Sequence, residues 1–562
     1  MRSVIAAVLF FFAATAAGQQ AGSLVAESHP PMTIELCVDS GPCTAAVRSI
    51  VLDANWRWTN VDGVNCYAGN EWDAVLCPDG ETCAAQCALE GADYQGTYGI
   101  ATTGDKLTLD FVTEHEYGTN VGSRVYLLDG DKYMMFNLKN KEFSLTVDDS
   151  QLGCGLNGAV YFVSMPEDGG MAAFPNNAAG AAYGTGYCDA QCPHDVKFID
   201  GAANSEGWDG TSESSGAGKY GACCAELDIW EANSLAQSFT PHPCEEDGLF
   251  RCEGGTSCGD GDDRQNGVCD KDGCDWAAYR LGTTTFYGPG AGFTVDSSRP
   301  FQIVTQFLTD DGSDTGDLVE IRRVYVQDGV SHANPTVDFG GENFDSTTDA
   351  FCDAEKDAFD DPATFQRVGG LVQMGKQMEA GMVLVLSLWD DYSANMAWLD
   401  ATWPLGSTAP GAARGPCAEG SGEPAVVEVE QASATVAFSK IKFGPIGSTP
   451  DADPSPDPID TVCCWWSQNK DDMCALCTVA APAGDWCASS ESRCGGCGGT
   501  WCGAADSPGC ADSKTWRKKG RVGRGCDWVA DGPQPSNKRC NRKDVDGTRS
   551  DAACPIACGT CP

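Results

Sequence analysis

The chain has 562 residues, with 36 basic against 80 acidic side chains and 32 cysteines, and is long enough to bury one large core or several smaller ones. Residues 1–462 carry a net charge of −46, whereas the last hundred residues carry about +2. So acidic a surface excludes nucleic acid as a partner and suits a neutral substrate.

The chain opens on Met1 and Arg2, an apolar run from Val4 to Ala14, and the small residues Ala16, Ala17 and Gly18. This pattern predicts a secretory signal over residues 1–18, too short to anchor in a membrane, with cleavage before Gln19. No later apolar stretch reaches membrane length, so no membrane partner is expected. In a secreted chain the cysteines imply disulfides, and the lack of His-rich spacing argues against a metal site. There is no N-x-S/T sequon, so N-glycans are not expected.

Residues 19–446 read as short alternating runs broken by Gly, Asn and Asp. LTLDFVT (Leu107 to Thr113), RVYLL (Arg124 to Leu128), AVYFVSM (Ala159 to Met165), FQIVTQFL (Phe301 to Leu308) and GMVLVLSLW (Gly381 to Trp389) are examples. Their spacing predicts a large antiparallel β-sandwich with long loops, and Phe351 to Phe359 is the one clear short helix. Residues 447–462, rich in Pro, Asp and Ser, read as a stiff acidic linker. Beyond them, disulfides must supply the stability that too few apolar side chains can give. Eight cysteines fall in residues 463–502 and six in 503–562, an even count for each of two modules.

One stretch, GACCAELDIWEAN (Gly221 to Asn233), crowds Glu226, Asp228 and Glu231 into an otherwise apolar, strand-like segment. Side chains alternate along a strand, so Glu226 and Asp228 share a face and Glu231 should point to the other. A β-bulge would restore the parity, and bulges cluster beside active sites. Two glutamates leaning together from that span could bring their carboxyls to about 5 Å, the separation of nucleophile and acid/base in a retaining glycosidase. The alternative is an ordinary strand with a solvated polar face.

The residues around this motif resemble glycoside hydrolase family 7, the cellobiohydrolases and endoglucanases that cut cellulose with retention. DANWRWT (Asp53 to Thr59), CGLNGAVYFVSM (Cys154 to Met165), GTGYCDAQCP (Gly184 to Pro193), CCAELDIWEAN, FTPHPC (Phe239 to Cys244), CDKDGCDWAAYRLG (Cys269 to Gly282), GMVLVLSLWDDYSANMAWLD (Gly381 to Asp400) and FGPIGST (Phe443 to Thr449) follow the family in order. The resemblance, nearer the cellobiohydrolases, implies an all-β concanavalin-like jelly roll whose loops roof a cleft or tunnel. It also implies nine disulfides: Cys37–Cys43, Cys66–Cys87, Cys77–Cys83, Cys154–Cys417, Cys188–Cys224, Cys192–Cys223, Cys244–Cys269, Cys252–Cys258 and Cys274–Cys352. A tenth bridge common in the family is absent, its positions held by Gly22 and Ala88.

By the same resemblance Glu226 is the nucleophile and Glu231 the acid/base, Asp228 hydrogen-bonds the nucleophile and holds its proton, and His242 assists near the leaving group. Trp56 and Trp58 would line the substrate entrance from one face of a strand, and Trp389 and Trp398 the sites nearer the cleaved bond. Arg124, Asn157, Tyr161, Asp189, Gln191 and Lys197 match positions that hydrogen-bond the glucan chain. Arg264, Asp272, Asp275, Arg280 and Arg414 match the cellobiose product side. Neither a metal nor an organic cofactor is called for, and a monomer is expected.

The loops imply a cellobiohydrolase with a partly open roof. Gly259 to Val268 is about two residues short of the family pattern, the tyrosine usual at its tip is missing, and its counterpart across the cleft is replaced by Ser393. Asp209 to Ala222 and Leu405 to Ala413 are slightly trimmed. An endo-β-1,4-glucanase of the same family is the alternative, and a non-catalytic glucan lectin or a wall protein a more distant one. In the tail, Trp465, Trp466, Trp486 and Trp501 either present a cellulose-binding face or plug a disulfide mini-core. The last module ends CPIACGTC, similar to six-cysteine ShK-type domains, and carries the basic cluster Arg517, Lys518, Lys519, Arg521 and Arg524.

Overall fold

The computed structural model describes residues 18–38, 42–174, 177–210 and 216–450, which belong to one compact unit; residues 451–562 form a second. In that second unit only the backbone of Val462–Cys464 and Thr500–Cys502 is described, and these two strands pair antiparallel. The secretory signal, the body of the linker and the tail tryptophan and basic-cluster readings lie outside the described residues.

Eleven strands carry the first unit: β1 (Pro31–Leu36), β2 (Thr44–Leu52), β3 (Ser123–Asp129), β4 (Lys141–Asp148), β5 (Leu156–Val163), β6 (Glu226–Ala232), β7 (Gln237–His242), β8 (Phe301–Thr309), β9 (Leu318–Gln327), β10 (Met382–Asp390) and β11 (Thr435–Pro445). They hydrogen-bond in the order β7-β6-β5-β10-β3-β2-β1-β11-β4-β8-β9. Every neighbour is antiparallel except β1 and β11, which join in parallel over Glu35–Lys442 and Leu36–Phe443. The two halves of this ladder face each other across one core. Phe143 of β4 meets Phe162 of β5 edge-on at 5.1 Å, and Phe301 of β8 meets Trp230 of β6 at 5.4 Å. This is the all-β sandwich that the alternating runs predict.

Strand parity sorts the side chains. Val160 and Phe162 of β5, Leu384 and Leu386 of β10, and Val125 and Leu127 of β3 enter the core between the layers. Their neighbours Ala159, Tyr161, Val163, Val383, Val385, Tyr126 and Leu128 gather on the opposite face. These strands therefore bury both faces, which is why they read as continuous apolar runs.

The helix expected over Phe351 to Phe359 spans Asp349–Phe359, opened by Thr348, whose side chain accepts the Phe351 N–H, and closed by Asp360 in the left-handed region. The sequence reading does not include the helices Gly80–Gln86, Gly370–Gln377 and Pro424–Glu430. Nine disulfides connect the cysteines in the pairs that the resemblance implies, with no free cysteine among the described residues.

The packed unit runs past the expected boundary at 446. Thr449 is fully buried, and the buried carboxylate of Glu142 accepts the N–H groups of Gly447 (2.7 Å) and Thr449 (2.5 Å) and the Gln306 amide (3.0 Å). Packing therefore reaches Pro450, where the first unit ends. A chain ending at Ile446 would strip a buried charge of two donors, each worth about 1.5–3 kcal/mol. Denaturant unfolding should find residues 19–446 less stable than 19–450 by about 3 kcal/mol or more; equal stabilities would contradict this packing.

Candidate active site

The site grows from a break in register on β6. Against β5, Glu226 pairs with Val163, Leu227 with Phe162 and Asp228 with Tyr161, but Trp230 pairs with Val160 and Glu231 with Ala159. Ile229 is the inserted residue. On the other side Asp228 opposes Thr240 and Glu231 opposes Ser238, so β7 shows the same irregularity. The three acids thus oppose Val163, Tyr161 and Ala159, all on one face of β5, and all three line the same cleft. The bulge that parity demands is present, and Ile229 and Trp230 both enter the core behind it.

Each acid has its own support. The Ala190 N–H donates to Glu226 at 3.1 Å, and the Asn157 amide donates to Glu231 at 3.0 Å. His242 Nε2 lies 3.1 Å from an Asp228 oxygen, while its Nδ1 is 2.8 Å from the Asp270 carbonyl, which orients the ring. The turn that presents Ala190 is bolted to the start of this segment by Cys188–Cys224 and Cys192–Cys223, which flank it on both sides.

All four groups are at most 9% exposed, so their charges interact strongly. Burial, then the charges of Asp228, Asp189 and Glu231, holds the Glu226 carboxyl well above the usual range. Burial and Asp228 do the same for Glu231, opposed by His242 and by the Asn157 hydrogen bond. Burial works against a charge on His242, but its hydrogen bond and attraction to Asp228, with help from Asp270, raise it to about 9. Burial raises Asp189 to about 6, partly offset by the Tyr187 hydroxyl and Arg124. The patch therefore holds a proton at neutral pH, as acid catalysis needs.

The cleft has a volume of about 1830 Å³, well beyond the roughly 300–1,000 Å³ of a site for one small ligand. Of the residues expected to bind substrate, Trp56, Arg124, Tyr161, Asp189, Gln191, Lys197, Arg264, Asp272, Asp275, Arg280, Trp389, Trp398 and Arg414 line it. At one end Arg124 lies 3.2 Å over the Tyr187 ring and 5.3 Å from the Trp56 ring, and is held by Asp53 at 3.1 Å. Lys197 donates to the Asn55 carbonyl at 2.6 Å and is lowered by burial to about 8. The rings of Trp389 and Trp398 stack at 6.2 Å, and Asp391 fixes the Trp398 indole N–H. At the other end Asp275 bridges Arg280 and Arg414, Arg264 meets Asp272 at 2.7 Å, and Gln191 donates to the Lys271 carbonyl at 2.8 Å. Burial opposes the charge on Asp275, but the two arginines keep it ionised, well below the usual range.

Three expectations change. Trp56 and Trp58 do not share a strand face. Asp53 accepts the Asn55 N–H at 2.6 Å and turns Ala54–Trp56 into a 3-10 helix, and Arg57 points inward to Glu27 and the Leu52 and Glu90 carbonyls. Trp56 reaches the cleft, whereas Trp58 stands outside its lining with its indole N–H on Asn65. Asn157 is fully buried and also outside the lining; its amide N–H donates to Glu231 and its oxygen accepts the Ala232 N–H, so it orients a carboxyl. Asp228 faces His242, not Glu226; it acts on Glu226 through charge, since two close carboxylates repel where a cation attracts. The sequence reading misses Tyr187, whose hydroxyl joins Tyr161 (3.0 Å) to Asp189 (2.6 Å). It lies two residues before Asp189 in GTGYCDAQCP, and that i, i+2 spacing was the available signal.

An acid pair on one wall of a large, tryptophan-lined cleft on an antiparallel sandwich fits a glycoside hydrolase. Residues 21–450 match the sequence profile of glycosyl hydrolase family 7, and the chain belongs to that family. It is 54% identical over 457 residues to exoglucanase GH7B of Limnoria quadripunctata, covering 79% of this chain and 99% of that one. The crystal structure of a GH7 family cellobiohydrolase from Daphnia pulex matches 77% of this chain and 100% of its own at 53% identity and a TM-score of 0.75. A cellobiohydrolase from Melanocarpus albomyces complexed with cellotetraose matches the same shares at 47% identity and a TM-score of 0.72.

Two outcomes follow from the charges. His242 is raised above its unfolded value of about 6.5. Its pairing with Asp228 therefore stabilises fully below about pH 6.5 and is lost as pH rises through about 9. The stability difference between the wild type and His242→Asn should shrink over that window by about 3 kcal/mol; a difference independent of pH would contradict the pairing. Glu226, raised in the folded state, costs stability once pH passes its unfolded value near 4.3. Glu226→Gln should therefore unfold at a higher temperature than wild type at pH 7, with the gap closing toward pH 4.

Proposed function

We propose that the chain is a secreted, retaining β-1,4-glucan cellobiohydrolase that releases cellobiose from cellulose chain ends, the reducing end foremost. The observation that carries this reading is the bulge at Ile229, which puts Glu226 and Glu231 on one wall of a cleft long enough for several sugars. The printed names of the relatives, exoglucanase and cellobiohydrolase, support the same substrate class.

In this reading Glu226, oriented by the Ala190 N–H, attacks the anomeric carbon while Glu231, aimed by Asn157, protonates the departing oxygen. The first step releases the reducing-end cellobiose and leaves a glycosyl ester on Glu226. Forming that ester removes one negative charge from beside Asp228 and Asp189, relieving the repulsion that burial intensifies. Water, deprotonated by Glu231, then frees the new chain end with the original configuration. His242, cationic and 3.1 Å from an Asp228 oxygen, places a positive charge beside the third carboxyl. Trp389 and Trp398 offer flat apolar faces to the sugar rings, and Trp56 does so at the entrance. Arg264, Asp272, Asp275, Arg280 and Arg414 would hold the cellobiose product through its hydroxyls.

The roof is partly open. Arg264, on the shortened Gly259–Val268 loop, is held by Asp272 and the Lys271 carbonyl and reaches Gln191 only at 3.5 Å. Tyr392, beside Ser393, turns its hydroxyl to Glu428. Such a roof favours processive runs that start within chains or end early more often than in a closed tunnel. The domain plan follows: a signal over 1–18, a catalytic unit through 450, an acidic linker to 462, a Cys/Trp-rich module over 463–502 that assists binding to cellulose, and a six-cysteine module over 503–562.

Glu231→Gln should lower kcat/KM on cellotetraose by about 10²–10⁴-fold, while largely sparing kcat/KM on an aryl cellobioside whose leaving group needs no proton, its kcat falling only because the base for the second step is gone; equal losses in kcat/KM on both would contradict the acid role. On crystalline cellulose the ratio of soluble to insoluble new reducing ends should fall below that of a closed-tunnel enzyme, and an equal ratio would contradict the open roof. Deleting residues 463–562 should weaken adsorption to insoluble cellulose without changing turnover of cellotetraose; unchanged adsorption would contradict the tail's role.

A further inference from the structure

Among the described residues, Arg323 is the one charged side chain of the core's largest fully buried residues that has no carboxylate partner. It lies on β9, opposite Thr305 of β8, and its side chain crosses the core to β6. Its guanidinium sits among the rings of Phe239 (4.5 Å), Tyr325 (5.7 Å) and Trp230 (5.9 Å). One nitrogen donates to the Ile229 carbonyl, the Tyr325 hydroxyl interacts with the guanidinium from the same strand, and Nε and Nη1 meet no carbonyl or carboxylate acceptor. The related Arg57, also buried, differs in having the Glu27 carboxylate and two carbonyls as acceptors.

Burying a guanidinium against one carbonyl and one hydroxyl, with no carboxylate, is costly, and an aliphatic chain of the same length would fill the space without that cost. The cost falls at an informative place. Ile229 is the inserted residue, and an inserted residue lies outside the regular pairing of the ladder. Its carbonyl is two residues from Glu231 and one from Asp228. A bulge flattened by one register step would send Glu231 toward the core and leave only Glu226 and Asp228 on the cleft face.

We propose that Arg323 is a positioning residue for the acid/base step: it clamps the Ile229 carbonyl, with three aromatic faces holding the cation in place, and so fixes Glu231 relative to Glu226. This rests on the retaining reading of those two acids. Arg323 touches no substrate; it acts through the backbone that carries Glu231.

The test compares wild type, Arg323→Met, which keeps the length but removes the donors, and Arg323→Lys, which keeps one donor and the charge. Both substrates are used: cellotetraose, whose leaving group must be protonated, and an aryl cellobioside with a good leaving group. Arg323→Met is expected to lose about 10- to 100-fold in kcat/KM on cellotetraose, carried by kcat with KM within about twofold, and several-fold less in kcat/KM on the aryl cellobioside. The alkaline limb of its kcat/KM–pH profile, set by the acid that must be protonated, should shift, and Arg323→Lys should recover part of the loss. Equal losses on the two substrates, a loss that tracks the folded fraction, or no loss would each overturn the proposal. So would failure of both variants to fold, which assigns Arg323 to the core and not to the chemistry. Wild-type turnover of both substrates, run alongside, keeps this result separate from failure of the retaining reading itself.

Discussion

Strand parity is the constraint on which the site depends. Glu226 and Glu231 are five residues apart, and on a regular strand they face opposite ways, one into the cleft and one into the core between the sheets. Inserting Ile229 reverses the parity of everything after it, so that a single backbone irregularity decides whether there is an acid pair at all. The rest of the site depends on that irregularity being rigid. β5 and β7 hold β6 from both sides, two disulfides anchor the turn that presents Ala190, and Arg323 reaches from the opposite layer to the bulge carbonyl. Preorganisation here is made largely of backbone and core contacts, with few atoms that a substrate would touch.

That rigidity holds a charge arrangement that the fold alone would not favour. Three carboxyls and Asp189 are crowded into a buried patch relieved by His242 and, at Asp189, by Arg124, so part of the patch must stay protonated. Double displacement uses such a patch, because one carboxyl must start ionised and the other protonated. The surrounding core, continuous from Phe143 and Phe162 to Trp230 and Phe301, supplies the stability that this crowding spends.

Much of this was legible in the residues. The apolar runs around Val160, Leu384 and Val125 announced strands, and the misplaced third acid announced the bulge. The resemblance carried the nine disulfides and thirteen of the cleft-lining residues. What was not legible depends on contacts between distant segments or on main-chain atoms. The Ala190 N–H that serves Glu226 has no side chain to betray it, and Arg323 meets Ile229 from 94 positions away. Asn157 looked like a ligand-binding amide because its residue type fits both roles; only burial separates them. The helix Gly370–Gln377 was hidden by its glycines. Gly375 is small because a Cβ there would come within 2.8 Å of the Leu318 Cβ, so close packing against β9 outweighs helix propensity.

The central claim is that the bulge makes Glu226 the nucleophile of a covalent mechanism. Incubation with an activated 2-deoxy-2-fluoro-β-cellobioside, followed by proteolysis and mass spectrometry, tests it directly, because the fluorine slows breakdown of the glycosyl ester. The account predicts one fluorocellobiosyl group attached to the peptide at Glu226. No adduct, or an adduct on Asp228 or Glu231, would contradict it.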